Sequence, residues 1–184
     1  MDGIKTMLRG AALALLAGPA LAGAMMLEDF TGAPETRWDY VSDQVMGGVS
    51  EGAAAFEAED GTAFVRLTGG VSTANNGGFI QVRQLLSEAF PAGSEGVAIR
   101  VRGNGERYFV HLRTTATTRP WYYYQAAFEA GPDWQNLRLP LAAFAPSNAV
   151  LPATIDPATV TSIGIVAFGR DHQADVSVAS VEVY

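Results

Sequence analysis

The 184-residue chain contains no cysteine, a single lysine (Lys5) and two histidines, His111 and His172. Without cysteine there is no thiol nucleophile, no disulfide and no thiolate metal site. Neither histidine belongs to a His-Glu-x-x-His arrangement, so the sequence carries no zinc-hydrolase signature. Gly48-Val49-Ser50-Glu51-Gly52 has Gly-x-Ser-x-Gly spacing, but no helix is read after it to form a nucleophile elbow, and no glycine-rich loop leads into a helix to hold phosphate. Acid–base work on two carboxylates would need a cleft that sequence does not display. These absences place a binding or assembly protein ahead of an enzyme, with no cofactor expected. Cationic charge is scarce as well: the formal net charge is −7. A nucleic-acid partner would need the opposite balance.

Long apolar runs are also few, and the only one of note lies at the N-terminus. Lys5 and Arg9 precede an apolar stretch from Ala11 to Ala17, Gly18-Pro19 breaks it, and Ala20-Leu21-Ala22 supplies small residues. Basic, apolar, then small is the layout of a secretory signal peptide, expected over residues 1–22, with Ala22 and Ala24 offering a second cut two residues on. The apolar run is far short of the roughly 20 residues that span a bilayer, so no transmembrane anchor is expected after cleavage. Gly23 follows the cut instead of cysteine, which excludes a lipid anchor. The chain is therefore expected to be exported, periplasmic or secreted. Removing Asp2, Lys5 and Arg9 takes away one acid and two bases, so −7 becomes −8. About 160 residues remain, enough for one domain over 27–184 with a sizeable core.

What that remainder does contain is short strands and turns, with no convincing helix. Ala53–Ala58 and Ala63–Thr68 flank Asp60-Gly61 and read as a hairpin. Val97 to Arg102 and Tyr108 to Arg113 both alternate, with Gly103-Asn104-Gly105 between them. Pairing Arg102 opposite Arg107 sets Val101 on Tyr108, Ile99 on Val110 and Val97 on Leu112. The same register gathers Arg100, Arg102, His111 and Arg113 on the outer side, with Arg83, Tyr123 and Gln125 assigned to the polar side of their own strands. Polar residues outward on an antiparallel sheet require no function. On a concave sheet the same arginines and tyrosine suit a sugar or an acidic peptide, through forked hydrogen bonds and stacking. Trp121–Phe128, Trp134–Leu139, Thr161–Phe168 and Asp175–Tyr184 read as further strands. Pro140 to Pro157 is proline-interrupted and is expected to wrap an edge. Many short strands at regular spacing predict an all-β fold, a two-sheet antiparallel β-sandwich of jelly-roll kind.

Two stretches exceed what turns demand: Asp43 to Ser50 (DQVMGGVS) and Asn75 to Arg83 (NNGGFIQVR). On chemistry alone Gly47-Gly48 and Gly77-Gly78 read as bends or bulges, with Asp43, Asn75 and Asn76 as turn formers and Met46 and Phe79 as core. The sharper expectation sets both stretches side by side at one end of the sandwich, with both glycine pairs adjacent and Asp43 within salt-bridge reach of Arg83. His172, in the turn-like Gly169–Gln173, is expected in solvent. His111 faces outward on its strand.

Trp38, Asp43–Ser50 and Asn76-Gly77-Gly78-Phe79 followed by Arg83 closely resemble the signature of the complex I intermediate-associated protein 30 family. Arg102–Gly105 with Tyr108, Trp134–Pro140 with Phe144, and Ser162-Ile163-Gly164 are similar to its later pattern. The resemblance runs from about Leu27 to Tyr184, and departs at Gln44, where glycine is usual, and at Ile80-Gln81-Val82 between Phe79 and Arg83. It implies a galactose-binding-like β-sandwich akin to carbohydrate-binding modules, and a non-enzymatic assembly-factor or chaperone role through a protein partner. The alternative it implies is a carbohydrate-binding module recognising a glycan on the Arg/Tyr-bearing face. By analogy to such modules a structural calcium is expected, if anywhere, near Glu28 or Asp29. The site residues expected to touch partner or ligand are Asp43, Met46, Gly47, Gly48 and Ser50; then Asn76, Gly77, Gly78, Phe79 and Arg83; and Arg100, Arg102, His111, Arg113 and Tyr123.

Overall fold

A computed structural model describes residues 24–184; the expected signal peptide lies outside the described residues. Twelve strands follow in order: β1 Met25–Glu28, β2 Trp38–Ser42, β3 Glu51–Glu59, β4 Thr62–Val71, β5 Phe79–Leu85 and β6 Gly96–Gly103, then β7 Arg107–Thr114, β8 Tyr124–Glu129, β9 Gln135–Pro140, β10 Ala145–Pro146, β11 Val160–Phe168 and β12 His172–Val183. They form two six-stranded antiparallel sheets. The first runs β3-β4-β12-β6-β9, with β1 added on β12; the second runs β10-β8-β7-β11-β5-β2. Only β3–β4 and β7–β8 are consecutive strands that pair, and most connections cross from one sheet to the other. That is the weave of a jelly roll.

Period-2 patterning sets which face each strand buries. On β7, Tyr108, Val110 and Leu112 are inaccessible; on β6, Val97, Ile99 and Val101 are. The two sets meet across the sandwich with Ile80, Val82, Ile163, Ile165, Val178 and Val181 in one continuous core. The β3–β4 hairpin forms in the expected place, with Asp60 (φ 49) and Gly61 (φ 77) as a two-residue turn. β10 pairs with β8 as the outermost strand of the second sheet, so the proline-rich stretch does run along an edge.

The β6–β7 hairpin does not form. Val101 pairs with Val178 and Gln135 in the first sheet, whereas Tyr108 pairs with Phe128 in the second. Gly103-Asn104-Gly105 is a crossover between sheets, with Gly103 N–H donating to Gly131 O (2.6 Å) and Gly105 N–H to Ala130 O (2.7 Å). Tyr108 completes the crossing: its hydroxyl donates to Asn104 Oδ1 (2.6 Å) and accepts from Asp175 N–H (2.8 Å). Alternation gave the correct inward face of both strands, but a period of two says nothing about which strand pairs with which. Arg100 and Arg102 therefore lie on the outer face of the other sheet, away from His111. There they pack on Trp134, at 5.3 and 4.7 Å from the ring centroid, and Arg102 pairs with Glu59 at 2.6 Å.

The Glu28 carboxylate is also occupied. Arg37 donates to it from Nε (2.9 Å) and Nη2 (2.8 Å), Trp38 Nε1 donates at 2.9 Å, and the Phe30 N–H donates at 2.7 Å. The cation beside Glu28 is thus a guanidinium, and Asp29 instead accepts from Thr31. The calcium expected there has no carboxylate pair to bind, and among the described residues no cluster of three metal-type ligands exists.

Candidate functional site

The two glycine-rich stretches do meet. After β2 a single 3-10 turn covers Asp43–Met46 and ends on Gly47, whose φ of 91° suits glycine. The turn buries the Asp43 carboxylate against backbone from both stretches. It accepts from Ser50 N–H (2.9 Å) and Oγ (2.5 Å), Gly78 N–H (2.5 Å) and Phe79 N–H (3.2 Å). Ser50 Oγ in turn accepts from Ser72 N–H at 3.0 Å. A Cβ on Gly48 or on Gly77 would run into the Asp43 carboxylate, and one on Gly77 would also lie 3.0 Å from Gly48 Cα. Asp43 has no exposed surface. Burial alone would raise its pKa, but the bonds from Ser50, Gly78 and Phe79 outweigh that and hold it below the usual carboxylate range.

Arg83 takes no part in this corner, so the expected Asp43–Arg83 pair is absent. Asp43 turns inward to cap amides, while Arg83 sits further along β5 and points out of the second sheet. Asn75 and Asn76 adopt left-handed φ of 57° and 58° and serve the turn before Gly77. Met46 is not core: it is 60% exposed, beside Val45 at 76%.

The outer face of the second sheet is concave and holds a cleft of about 370 Å³. One wall is the corner itself, through Val45, Met46 and Phe79; the opposite wall is Pro120, Trp121 and Tyr123. The floor is β5, β11 and β7, through Gln81, Arg83, Gly164, Val166, His111 and Arg113. Gly164 of β11 is paired with Arg83 on one side and His111 on the other; it brings no side chain of its own, and Gln81 leans over it, with Oε1 3.1 Å from where a Cβ would stand. Arg113 braces the far wall, with Nη2 donating to Thr117 O (2.9 Å) and Arg119 O (2.8 Å). Tyr123 stacks on His111, ring centroids 4.1 Å apart and 9° from parallel. Burial drives the His111 pKa down to about 3, only partly opposed by the Gln125 amide beside it. His111 is therefore a neutral ring at physiological pH. Its Nε2 and Gln125 Oε1 are buried without a well-formed hydrogen bond.

Of the expected site residues, the fold brings Met46, Phe79, Arg83, His111, Arg113 and Tyr123 to one cleft. Asp43, Gly47, Gly48, Ser50, Asn76, Gly77 and Gly78 build its wall from behind, and Arg100 and Arg102 belong elsewhere. His172, expected in solvent, instead places Nδ1 2.8 Å from Arg170 O and its ring edge against Tyr108. Sequence reasoning missed Val41, Trp121, Gly164, Val166 and Phe168. The signal for the β11 residues was weak because both faces of that central strand are covered, so its pattern reads as nearly continuous apolar sequence.

A concave, two-sheet antiparallel sandwich with a cleft across one sheet is the galactose-binding-like jelly roll. Residues 28–177 match the family model for complex I intermediate-associated protein 30 (CIA30), and the chain belongs to that family. Among solved structures, the family 11 carbohydrate-binding module of a cellulosomal cellulase of Clostridium thermocellum is similar at TM-score 0.69. It shows 13% identity, with 88% of this chain and 94% of that one covered. A family 30 carbohydrate-binding module is similar at TM-score 0.56 and 13% identity, over 78% of this chain and 80% of that one. An exo-beta-agarase matches at TM-score 0.58 and 8% identity, over 88% of this chain but 25% of its own. At such identities these likenesses establish the fold. No curated protein matches the chain.

Proposed function

We propose that this protein is a non-enzymatic, exported binding protein of the cell envelope, with an assembly-factor-like role, and that it docks a protein segment in the cleft of its second sheet. The observation that carries the reading is the apolar rim. Val45 (76% exposed), Met46 (60%) and Trp121 (57%) all line the cleft, and Val49 (45%) follows them in the same corner. Large apolar side chains gathered at the mouth of a cleft mark an interaction surface. Family membership supports the same role, and among the described residues no helix is long and apolar enough to cross a membrane. The test is co-purification of the mature protein with subunits of membrane complexes, respiratory complex I first. Trp121→Asp and Met46→Asp should abolish it, and co-purification that ignores both changes rules out the cleft.

A second reading is glycan binding, favoured by the stacked Tyr123–His111 pair and exposed Trp121 on a concave sheet, and by the carbohydrate-binding modules of like fold. The aliphatic part of the lining, Val41, Val45, Met46 and Val166, suits it less well, because sugar hydroxyls need polar partners. A glycan array decides: saturable binding lost in Tyr123→Ala would favour this reading over the first.

A further inference from the structure

The cleft holds two cations and no counter-charge. Arg83 and Arg113 both line it, and none of its lining residues is Asp or Glu, in a chain that is acidic overall. Arg113 spends part of its guanidinium on the Thr117 and Arg119 carbonyls. Arg83 spends nothing: its Nε is buried without a partner, and it forms none of the ion pairs among the described residues. Asp39 is its cross-strand neighbour on β2 but does not pair with it. The two arginines also act on each other, since the Arg83 charge adds to burial in lowering the Arg113 pKa.

An occupant that fills this cleft takes both guanidiniums out of water. A neutral occupant would leave them uncompensated, a penalty that apolar contact does not offset. A carboxylate matches the planar fork of a guanidinium in shape and charge. Gly164 of the central strand sits in register with Arg83 while Ser162 sits in register with Arg113, so the two guanidiniums flank one stretch of the cleft floor. The geometry points to an acid-reading subsite: Arg83 and Arg113 receive the carboxylate of an Asp or Glu side chain on a protein segment whose neighbouring residues are apolar. This rests on the docking role proposed above and adds the chemistry the partner must present.

Random-peptide phage selection on the mature protein tests it, with Arg83→Gln and Trp121→Asp run in parallel and a glycan array that includes uronic-acid oligosaccharides. Arg83→Gln removes a side chain with no internal partner, so it should melt with the wild type. The expected result is a selected motif with an acid beside apolar residues. The synthetic peptide should bind wild type roughly tenfold or more tightly than Arg83→Gln. Changing the peptide acid to its amide should cost the same, and combining both changes should cost little more. Apolar peptides lacking an acid, bound equally by wild type and Arg83→Gln but lost in Trp121→Asp, would overturn the subsite and leave the docking role standing. Peptides insensitive to both variants, or none selected at all, would sink the docking role with it. Uronate binding lost in Arg83→Gln, with no peptide selected, would overturn the protein occupant.

Discussion

Asp43 Oδ2 accepts the backbone N–H of Gly78 at 2.5 Å, joining two glycine-rich stretches 35 residues apart in the chain. With Ser50 and Phe79 as further donors, this one carboxylate satisfies amides that no sheet partner reaches. Asp43→Asn replaces one acceptor oxygen with a donor facing N–H groups. It should cost about 3 kcal/mol, which for a domain of this size lowers Tm by roughly 6–12 °C. The pH dependence has a definite sign. The native pKa lies below the ordinary 3.8, so the stabilisation is complete above the unfolded value and is lost as pH falls through the native one. Thermal melts of wild type and Asp43→Asn should converge as pH falls below the ordinary carboxylate range, and a gap that stays constant through acid unfolding would show that the carboxylate charge is not responsible.

Gly77 is required for space and not for its backbone angle, since its φ is −78°. Gly77→Ala should therefore destabilise by about 2 kcal/mol through overpacking against Asp43. Removing the obstacle should relieve it: in an Asp43→Ala background the same substitution should cost well under half as much. A double-mutant cycle by urea unfolding measures this, and additive effects would mean the two residues are not in conflict.

How much of this was legible beforehand differs between levels. The inward faces of β5, β6 and β7 followed from alternation, and the β3–β4 hairpin followed from Asp60-Gly61. The partners of β6 and β7 did not, because Gly103-Asn104-Gly105 has the composition of a hairpin turn and functions as a crossover. The meeting of the MGG and NGG stretches was visible as two unusual glycine pairs. The wrong partner was assigned to Asp43 because a sequence shows that Arg83 is a cation but not that Gly78, Phe79 and Ser50 offer N–H groups closer by. The arginines on the cleft floor were visible; that Gly164 lies between their strands, with Gln81 folded over it, was not, since a lone glycine in an apolar run reads as ordinary strand.

Glu28 is buried with Arg37 and Trp38 on its two oxygens, and it is this cluster that anchors the start of β2. Burial would raise the Glu28 pKa, but the Arg37 and Trp38 bonds lower it further, so the pair stays ionic. Glu28→Gln should lose about 2 kcal/mol, kept modest because Arg37 is 35% exposed and can regain water. Chelator should leave the wild-type Tm unchanged, and calcium should not raise it. A calcium-dependent rise in Tm that vanishes in Glu28→Gln would show that a metal ion displaces the guanidinium.

His111 is the last group with a pH-dependent consequence, and its direction follows from burial. A histidine with native pKa near 3 and an unfolded value of 6.5 binds its proton far more readily when the chain unfolds. Its contribution is complete above pH 6.5 and is lost progressively as pH falls toward the native value, by roughly 1.4 kcal/mol per pH unit at most. His111→Phe keeps a ring under Tyr123 but cannot titrate, so its stability should be nearly flat between pH 6.5 and 4.5, where the wild type declines. Folded-state NMR should show the His111 imidazole neutral throughout that range, while ligand binding in the cleft shows no inflection near pH 6.5. An imidazole that titrates near 6.5 in the folded protein would mean that Tyr123 does not seal the ring from water and that the cleft floor carries a third, switchable cation.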